Sequence, residues 1–82
     1  NGHARLLSAD IQAARKEWEA AAKTYESISI AFDEEEIVPL ALEKAYRAYR
    51  EAGKVKESQT VLNRVQSRFP EYAREHGLIS SQ

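Results

Sequence analysis

The chemically reactive side chains of this 82-residue chain are few and lie far apart along the sequence. Cysteine is absent, which excludes disulfides, thiolate zinc sites and a cysteine nucleophile. His3 and His76 lie near opposite ends of the chain, whereas a zinc site needs three or four ligands that converge. The acidic run over 33–36 lacks the alternating ligand spacing of a calcium loop and is typical of a solvated hinge. We therefore expect no metal site and no cofactor.

The serine and basic residues form no catalytic or phosphate-binding pattern either. There is no glycine-rich phosphate loop, and no nucleophile elbow surrounds Ser27, Ser29 or Ser58. With 12 Lys and Arg against 13 Asp and Glu, the formal net charge is −1, so the chain as a whole does not attract nucleic acid. No apolar run approaches the roughly 18 residues of a membrane span. The sequence predicts a protein that is not an enzyme, binds no nucleic acid and does not insert into a membrane.

Hydrophobic periodicity predicts an all-α fold. Apolar residues recur at alternating steps of three and four, which places them on one face of a helix, whereas a strand needs steps of two. Three such stripes are expected to form the core. They are Leu7, Ile11, Ala14, Trp18, Ala21, Tyr25, Ile28 and Phe32; Val38, Leu42, Ala45, Tyr49 and Ala52; and Val55, Ser58, Leu62, Val65 and Phe69.

The first predicted helix is long. Ser8 is a candidate for its N-cap, and no glycine or proline interrupts the apolar stripe that follows. We expect one continuous helix over 8–32, about 36 Å tall, beside partners of about 22 Å. The residues at its start, Leu6, Leu7 and Ile11, are then expected to overhang the bundle. Free apolar surface of this kind is typical of a self-association or partner-binding site.

Proline and glycine mark the remaining boundaries. Pro39 suits the first turn of a helix, Gly53 suits a helix end, and Pro70 stops the helix before it. The predicted elements are a hinge over 33–38, a helix-turn-helix repeat over 39–70, a short terminal helix over 70–76 and a tail over 77–82, with a single domain over 4–76.

The segment over 39–70 resembles one tetratricopeptide repeat, a pair of antiparallel helices with a characteristic pattern of small and large residues. Two residues depart from that pattern, since Tyr46 replaces a small residue and Ser58 replaces the usual alanine. A tyrosine at the helix crossing is expected to push the paired helices apart or to point towards a neighbour. The other residues that carry the resemblance are Leu42, Ala45, Ala48, Tyr49, Gly53, Val55, Glu57, Leu62, Val65 and Pro70.

A partial second copy lies upstream, at a spacing of 37 residues. Its helix over 18–32 matches that over 55–69, and the extra length falls in the acidic hinge. The extended hinge, which ends in Pro39-Leu40-Ala41-Leu42, resembles the repeats of bacterial envelope assembly lipoproteins and periplasmic coordinators. This resemblance implies a periplasmic or envelope location; otherwise the chain is expected in the cytoplasm. The resemblance implies a helix over 4–16 followed by a turn. Because the turn glycine is missing near Lys16, we predict the continuous helix instead.

The resemblance implies a protein-interaction function. In the family, the first helix of each repeat lines a concave groove, and three cations of the matching helix lie three residues apart, suited to an acidic segment or a terminal carboxylate of a partner. In the alternative interpretation, the acidic and basic residues pair along a solvated helix face. The groove residues carried over by position are Leu40, Glu43, Lys44, Arg47, Arg50 and Glu51.

Two functions remain open at this point. The first is a binding module, a piece of a larger scaffold or assembly protein that binds a peptide or helix of a partner. The second is structural self-association, in which the stripe of the first helix forms a seam between copies in a homo-oligomer.

Overall fold

A computed structural model describes residues 2–79, which form five helices and no strand. The all-α prediction is confirmed. No helix among the described residues is both long enough and apolar enough to span a membrane. The helices are α1 (Gly2–Ala14), α2 (Trp18–Ala31), α3 (Val38–Glu51), α4 (Val55–Arg68) and α5 (Pro70–Glu75).

The predicted continuous helix over 8–32 is wrong, because the chain reverses direction between α1 and α2. Lys16 adopts a left-handed conformation with φ of 62°. Its backbone N–H donates to the carbonyl of Ala13, and the N–H of Glu17 donates to that of Gln12, at 2.9 Å each. These two bonds define a Schellman motif, the usual end of an α-helix. Lys16 therefore occupies the left-handed position of the turn, where a glycine was expected.

The same motif ends α3 and α5, where glycine provides the left-handed residue. Gly53 has φ of 76° and Gly77 has φ of 69°. After Gly53, the N–H of Lys54 donates to the carbonyl of Tyr49 at 2.8 Å. Lys16 and Gly53 are 37 positions apart, as are the first residues of α2 and α4. The chain thus contains two helical hairpins in the same register, hairpin 1 over residues 2–31 and hairpin 2 over residues 38–68.

The helices of hairpin 1 run antiparallel. The side chain of Arg5 reaches Ser27, and the hydroxyl of Thr24 donates to Gln12 at 2.7 Å. The next helix, α3, packs between α2 and α4, and its alanine face lies at zero or near-zero exposure at Ala41, Ala45 and Ala48. Small side chains of this kind allow neighbouring helices to approach closely. The core is therefore built around α3.

The inward face of α1 differs from the predicted stripe. Ala9 is fully buried, and Leu6 packs against both buried clusters of the protein, whereas Leu7 is 64% and Ile11 is 54% exposed. The predicted overhang is therefore wrong for Leu6, because α1 is only 13 residues long and packs along α2. Ser8 does not cap the helix but lies within it.

Three large residues assigned to the core are only half-buried, namely Trp18, Phe32 and Phe69. The predicted tail over 77–82 is also partly wrong, since Leu78 is 3% exposed and its N–H donates to the carbonyl of Ala73 at 2.7 Å. The part of that tail beyond residue 79 lies outside the described residues.

Candidate functional site

A groove of about 440 Å³ lies where the start of α2 meets the middle of α3. The turn at Lys16 positions it, because α2 begins two residues later and brings Trp18 beside the end of α1. The floor of the groove is mainly apolar, and its edge carries charged side chains. The lining residues are Ala13, Trp18, Tyr25, Lys44, Arg47, Ala48 and Glu51.

Three of the six groove residues expected from the sequence line this groove, and all three lie on α3: Lys44, Arg47 and Glu51. Arg50 lies to one side, where its Nη1 donates to the hydroxyl of Tyr46 at 3.2 Å and its guanidinium lies 5.5 Å from the centre of that ring.

Two further predicted residues, Leu40 and Glu43, are half-buried and do not line the groove. The carboxylate of Glu43 accepts a hydrogen bond from Arg47 Nη2 at 2.9 Å and one from the hydroxyl of Tyr72 at 2.6 Å. Its side chain is only 13% exposed, against 55% for Arg47. Glu43 therefore holds α5 and Arg47 in place instead of facing a partner.

The cation at the groove edge nearest α1 is held by an interhelical cluster. Lys44 Nζ lies 3.1 Å from Asp10 Oδ1, and the hydroxyl of Tyr25 donates to the same carboxylate. The ammonium also lies 5.9 Å from the centre of the Tyr25 ring. Burial raises the pKa of Tyr25 above its ordinary value of 10.0, and the hydrogen bond to Asp10 and the charge of Asp10 raise the pKa further. Tyr25 is therefore a neutral donor at neutral pH.

A second cluster with the same chemistry joins α2, α3 and α4. Glu26 on α2 accepts from the hydroxyl of Tyr49 on α3 at 2.7 Å and from Nη1 of Arg64 on α4 at 2.9 Å. Burial, followed by the hydrogen bond to Glu26, raises the pKa of Tyr49 in the same way. The contacts of Glu43 with Tyr72 and Arg47 repeat the pattern between α3 and α5. Each cluster therefore contains a carboxylate, a tyrosine donor and a cation.

These contacts define what the groove offers to a ligand. Its floor offers apolar and aromatic surface from Trp18 and Ala48, and its edge offers a guanidinium that is more than half exposed. Among residues 2–79, no group of three or more His, Cys, Asp or Glu is placed to hold a metal ion. His76 lies at the end of α5, where its ring stacks on Tyr72 with centroids 3.8 Å apart. The groove therefore places an apolar floor beside a charged edge.

Sequence reasoning missed the groove residues that lie outside α3, which are Ala13, Trp18 and Tyr25; Tyr25 was assigned to the core. Ala13 and Trp18 flank the turn at Lys16, and both were assigned to a continuous helix or to the core. A signal existed in the 37-residue register, which aligns Lys16 with Gly53 and so indicates a turn at Lys16.

Comparisons of the chain with protein-family models, with curated proteins and with solved structures found no match.

Proposed function

We propose that this chain is a non-catalytic protein–protein interaction module, similar to tetratricopeptide repeats, of a scaffold or assembly protein. Its groove binds a peptide or helix of a partner. Two observations support this proposal: the hairpins share a 37-residue register, and the groove lies on the helix that the family uses for binding. The groove beside Trp18 is the observation that carries the proposal. If the likeness to envelope proteins holds, the module works in the bacterial periplasm or envelope.

The chemistry of the groove favours an apolar side chain next to a carboxylate in the ligand. Burying one aliphatic side chain against Trp18 and Ala48 stabilises the complex by about 1.5–3 kcal/mol. Arg47 already donates to Glu43 through Nε and Nη2, so it offers the ligand carboxylate its remaining guanidinium donors, on a side chain that is 55% exposed. Lys44 contributes less, because Asp10 and Tyr25 already surround its ammonium. The apolar floor thus supplies most of the affinity, and Arg47 orients the ligand.

Trp18 makes this proposal directly measurable, because it is the sole tryptophan of the sequence. The probe is a short synthetic peptide that carries one leucine beside an acidic C-terminus, prepared with a free carboxylate and as the C-terminal amide. Titration of the free-acid peptide is expected to change Trp18 fluorescence. Arg47→Gln is expected to weaken binding about fivefold, which corresponds to roughly 1 kcal/mol for a charge-assisted hydrogen bond.

The matched control is Arg74→Gln, an exposed arginine on α5 that lies outside the groove. This variant is expected to bind the peptide like the unchanged protein, and the amide is expected to bind more weakly than the free acid. Unchanged Trp18 fluorescence at millimolar peptide, or equal affinity of the Arg47→Gln and Arg74→Gln variants, would remove the groove from consideration.

Structural self-association is the alternative proposal. It is favoured by the exposure of Leu7 and Ile11, which lie one turn apart on α1. Sedimentation velocity over a hundredfold range of concentration tests it, because a strictly monomeric chain excludes a homo-oligomer.

A further inference from the structure

The charged residues that line the groove differ in whether the chain itself neutralises them. Lys44 Nζ lies 3.1 Å from Asp10 Oδ1. Arg47 Nη2 lies 2.9 Å from Glu43 Oε2. Glu51, the third charged residue of the lining, is exposed and has no ion pair among residues 2–79. The one lining charge without a partner in this part of the chain is therefore negative.

The position of Glu51 on α3 leaves its charge uncompensated. Glu51 follows Arg47 by four residues, but a glutamate pairs better with a cation that follows it than with one that precedes it. Arg47 accordingly contacts Glu43, four residues before it, through both Nε and Nη2. Glu51 is also the last residue of α3, where the carbonyl end of the helix adds negative potential. Neither the preceding turn nor the helix end neutralises this carboxylate.

Two other cations close to the end of α3 are engaged elsewhere. Arg50 lines only a polar pocket of about 300 Å³ that adjoins the groove at Glu51. Its guanidinium donates to the hydroxyl of Tyr46 at 3.2 Å and lies 5.5 Å from the centre of that ring. Lys54 Nζ lies 3.7 Å from Glu19 Oε2. Neither cation forms an ion pair with Glu51 in the described part of the chain.

Building on the function proposed above, we propose that Glu51 is a specificity residue of the groove and pairs with a lysine or arginine side chain of the bound peptide. Glu51 lies four residues beyond Arg47, which is about 6 Å along the helix axis. A ligand that places its carboxylate at Arg47 and its apolar side chain on Trp18 therefore brings its basic group to Glu51 about one helical turn further on. The groove then favours a peptide with both an acidic and a basic group over a peptide that is only acidic.

The probes are three synthetic peptides that share one leucine and an acidic C-terminus with a free carboxylate. They differ only in the residue before the leucine, which is lysine, norleucine or glutamate. Norleucine retains an unbranched aliphatic side chain and removes the charge of lysine. Trp18 fluorescence of the full chain gives the Kd of each peptide. The lysine peptide is expected to bind about threefold more tightly than the norleucine peptide, as for an exposed ion pair, and the glutamate peptide is expected to bind most weakly.

Variants at Glu51 test the pairing by exchange of charge. Glu51→Gln is expected to bind the lysine and norleucine peptides equally, and Glu51→Lys is expected to prefer the glutamate peptide. Both variants should fold normally, because Glu51 is exposed. The matched control is Glu75→Gln, since Glu75 is also exposed and also ends its helix but lies outside the groove. This control is expected to retain the threefold preference for lysine.

The outcomes separate this selectivity from the groove itself. If the norleucine peptide binds and Arg47→Gln weakens its binding, but the lysine peptide binds no more tightly, the groove is retained and the role of Glu51 is overturned. Loss of the preference in both Glu51→Gln and Glu75→Gln would also overturn it, because the effect would then come from the overall charge. If none of the peptides changes Trp18 fluorescence, the proposed function fails and the selectivity fails with it.

Discussion

A single carboxylate, that of Glu26, holds three helices together. It accepts from the hydroxyl of Tyr49 at 2.7 Å, and its other oxygen accepts from Nη1 of Arg64 at 2.9 Å. The ring of Tyr49 is 4% exposed, so water cannot readily replace the donor. The Glu26 side chain is 24% exposed, so solvent replaces a lost donor only in part, and the loss costs more than at an exposed carboxylate. The contribution of each tyrosine therefore depends on where its hydroxyl lies.

Tyr49→Phe is expected to lower the free energy of unfolding by about 1–2 kcal/mol, because Glu26 loses one donor. The matched control is Tyr46→Phe. Because the hydroxyl of Tyr46 accepts only from the exposed Arg50, we expect its free energy of unfolding to change by no more than about 0.5 kcal/mol. Urea unfolding followed by circular dichroism measures both values. Equal losses in the two variants would show that the contact of Tyr49 with Glu26 adds nothing to stability.

The tyrosine clusters also predict an alkaline limit of stability. The folded chain raises the pKa of Tyr25, Tyr49 and Tyr72 above the ordinary value of 10.0, chiefly through burial and then through hydrogen bonds to carboxylates. The folded state therefore keeps protons that the unfolded state releases, so this contribution is fully present below pH 10.0 and decreases above it. Urea unfolding at a series of pH values measures the decrease. Tyr49→Phe removes one of the protons that the chain releases on unfolding, so the free energy of unfolding should fall less steeply with pH. An unaltered slope would contradict the raised pKa of Tyr49.

At the scale of the helices, the sequence predicts hairpin 2 much better than hairpin 1. Pro39, Gly53 and Pro70 have strong backbone preferences, and α3, α4 and α5 begin or end within a residue or two of them. The turn at Lys16 has no such marker, since left-handed lysine is uncommon. Ala14 and Trp18 are four residues apart, so the apolar steps continue across the turn although the helix does not.

The same turn explains which part of the candidate site was foreseen. Lys44, Arg47 and Glu51 lie on a helix whose boundaries were predicted, and they line the groove. Trp18 reaches the groove only because the chain reverses before it, and no local pattern indicates that reversal. On α1, apolar residues occupy both faces, so periodicity alone could not distinguish the inner face from the outer one.

The Schellman turn of hairpin 1 predicts that one substitution by glycine raises the stability of the protein, although substitution by glycine usually lowers it. Lys16→Gly is expected to stabilise the protein by about 1 kcal/mol, because glycine adopts a positive φ without the steric cost that a Cβ imposes. Gly53→Ala is expected to destabilise it by a similar amount, and that cost is conformational because an added Cβ meets no atom within 4 Å.

Thermal or urea unfolding measures both substitutions. In a continuous helix, glycine at position 16 would instead cost roughly 0.5–1 kcal/mol relative to alanine. A less stable Lys16→Gly variant would therefore contradict the turn.

At the scale of the whole molecule, the reversal at Lys16 determines the candidate groove. It brings Trp18 against α3, which forms the groove, and it leaves Leu7 and Ile11 of α1 exposed. A short α5 follows hairpin 2, and Ala73 and Leu78 are buried in the same cluster as Val65 of α4. The described residues thus form a stack that is covered beside α4 and open beside α1.

The central claim is that α1 and α2 form an antiparallel hairpin, and one distance tests it directly. Because the sequence contains no cysteine, spin labels can be attached specifically to a His3→Cys, Ile30→Cys variant, both positions being exposed. Pulsed electron paramagnetic resonance then measures the separation of the labels. The hairpin predicts a distance below about 20 Å, since Arg5 contacts Ser27 at the same end of the pair. A distance near 40 Å, the length of 27 residues in one straight helix at about 1.5 Å per residue, would contradict the account.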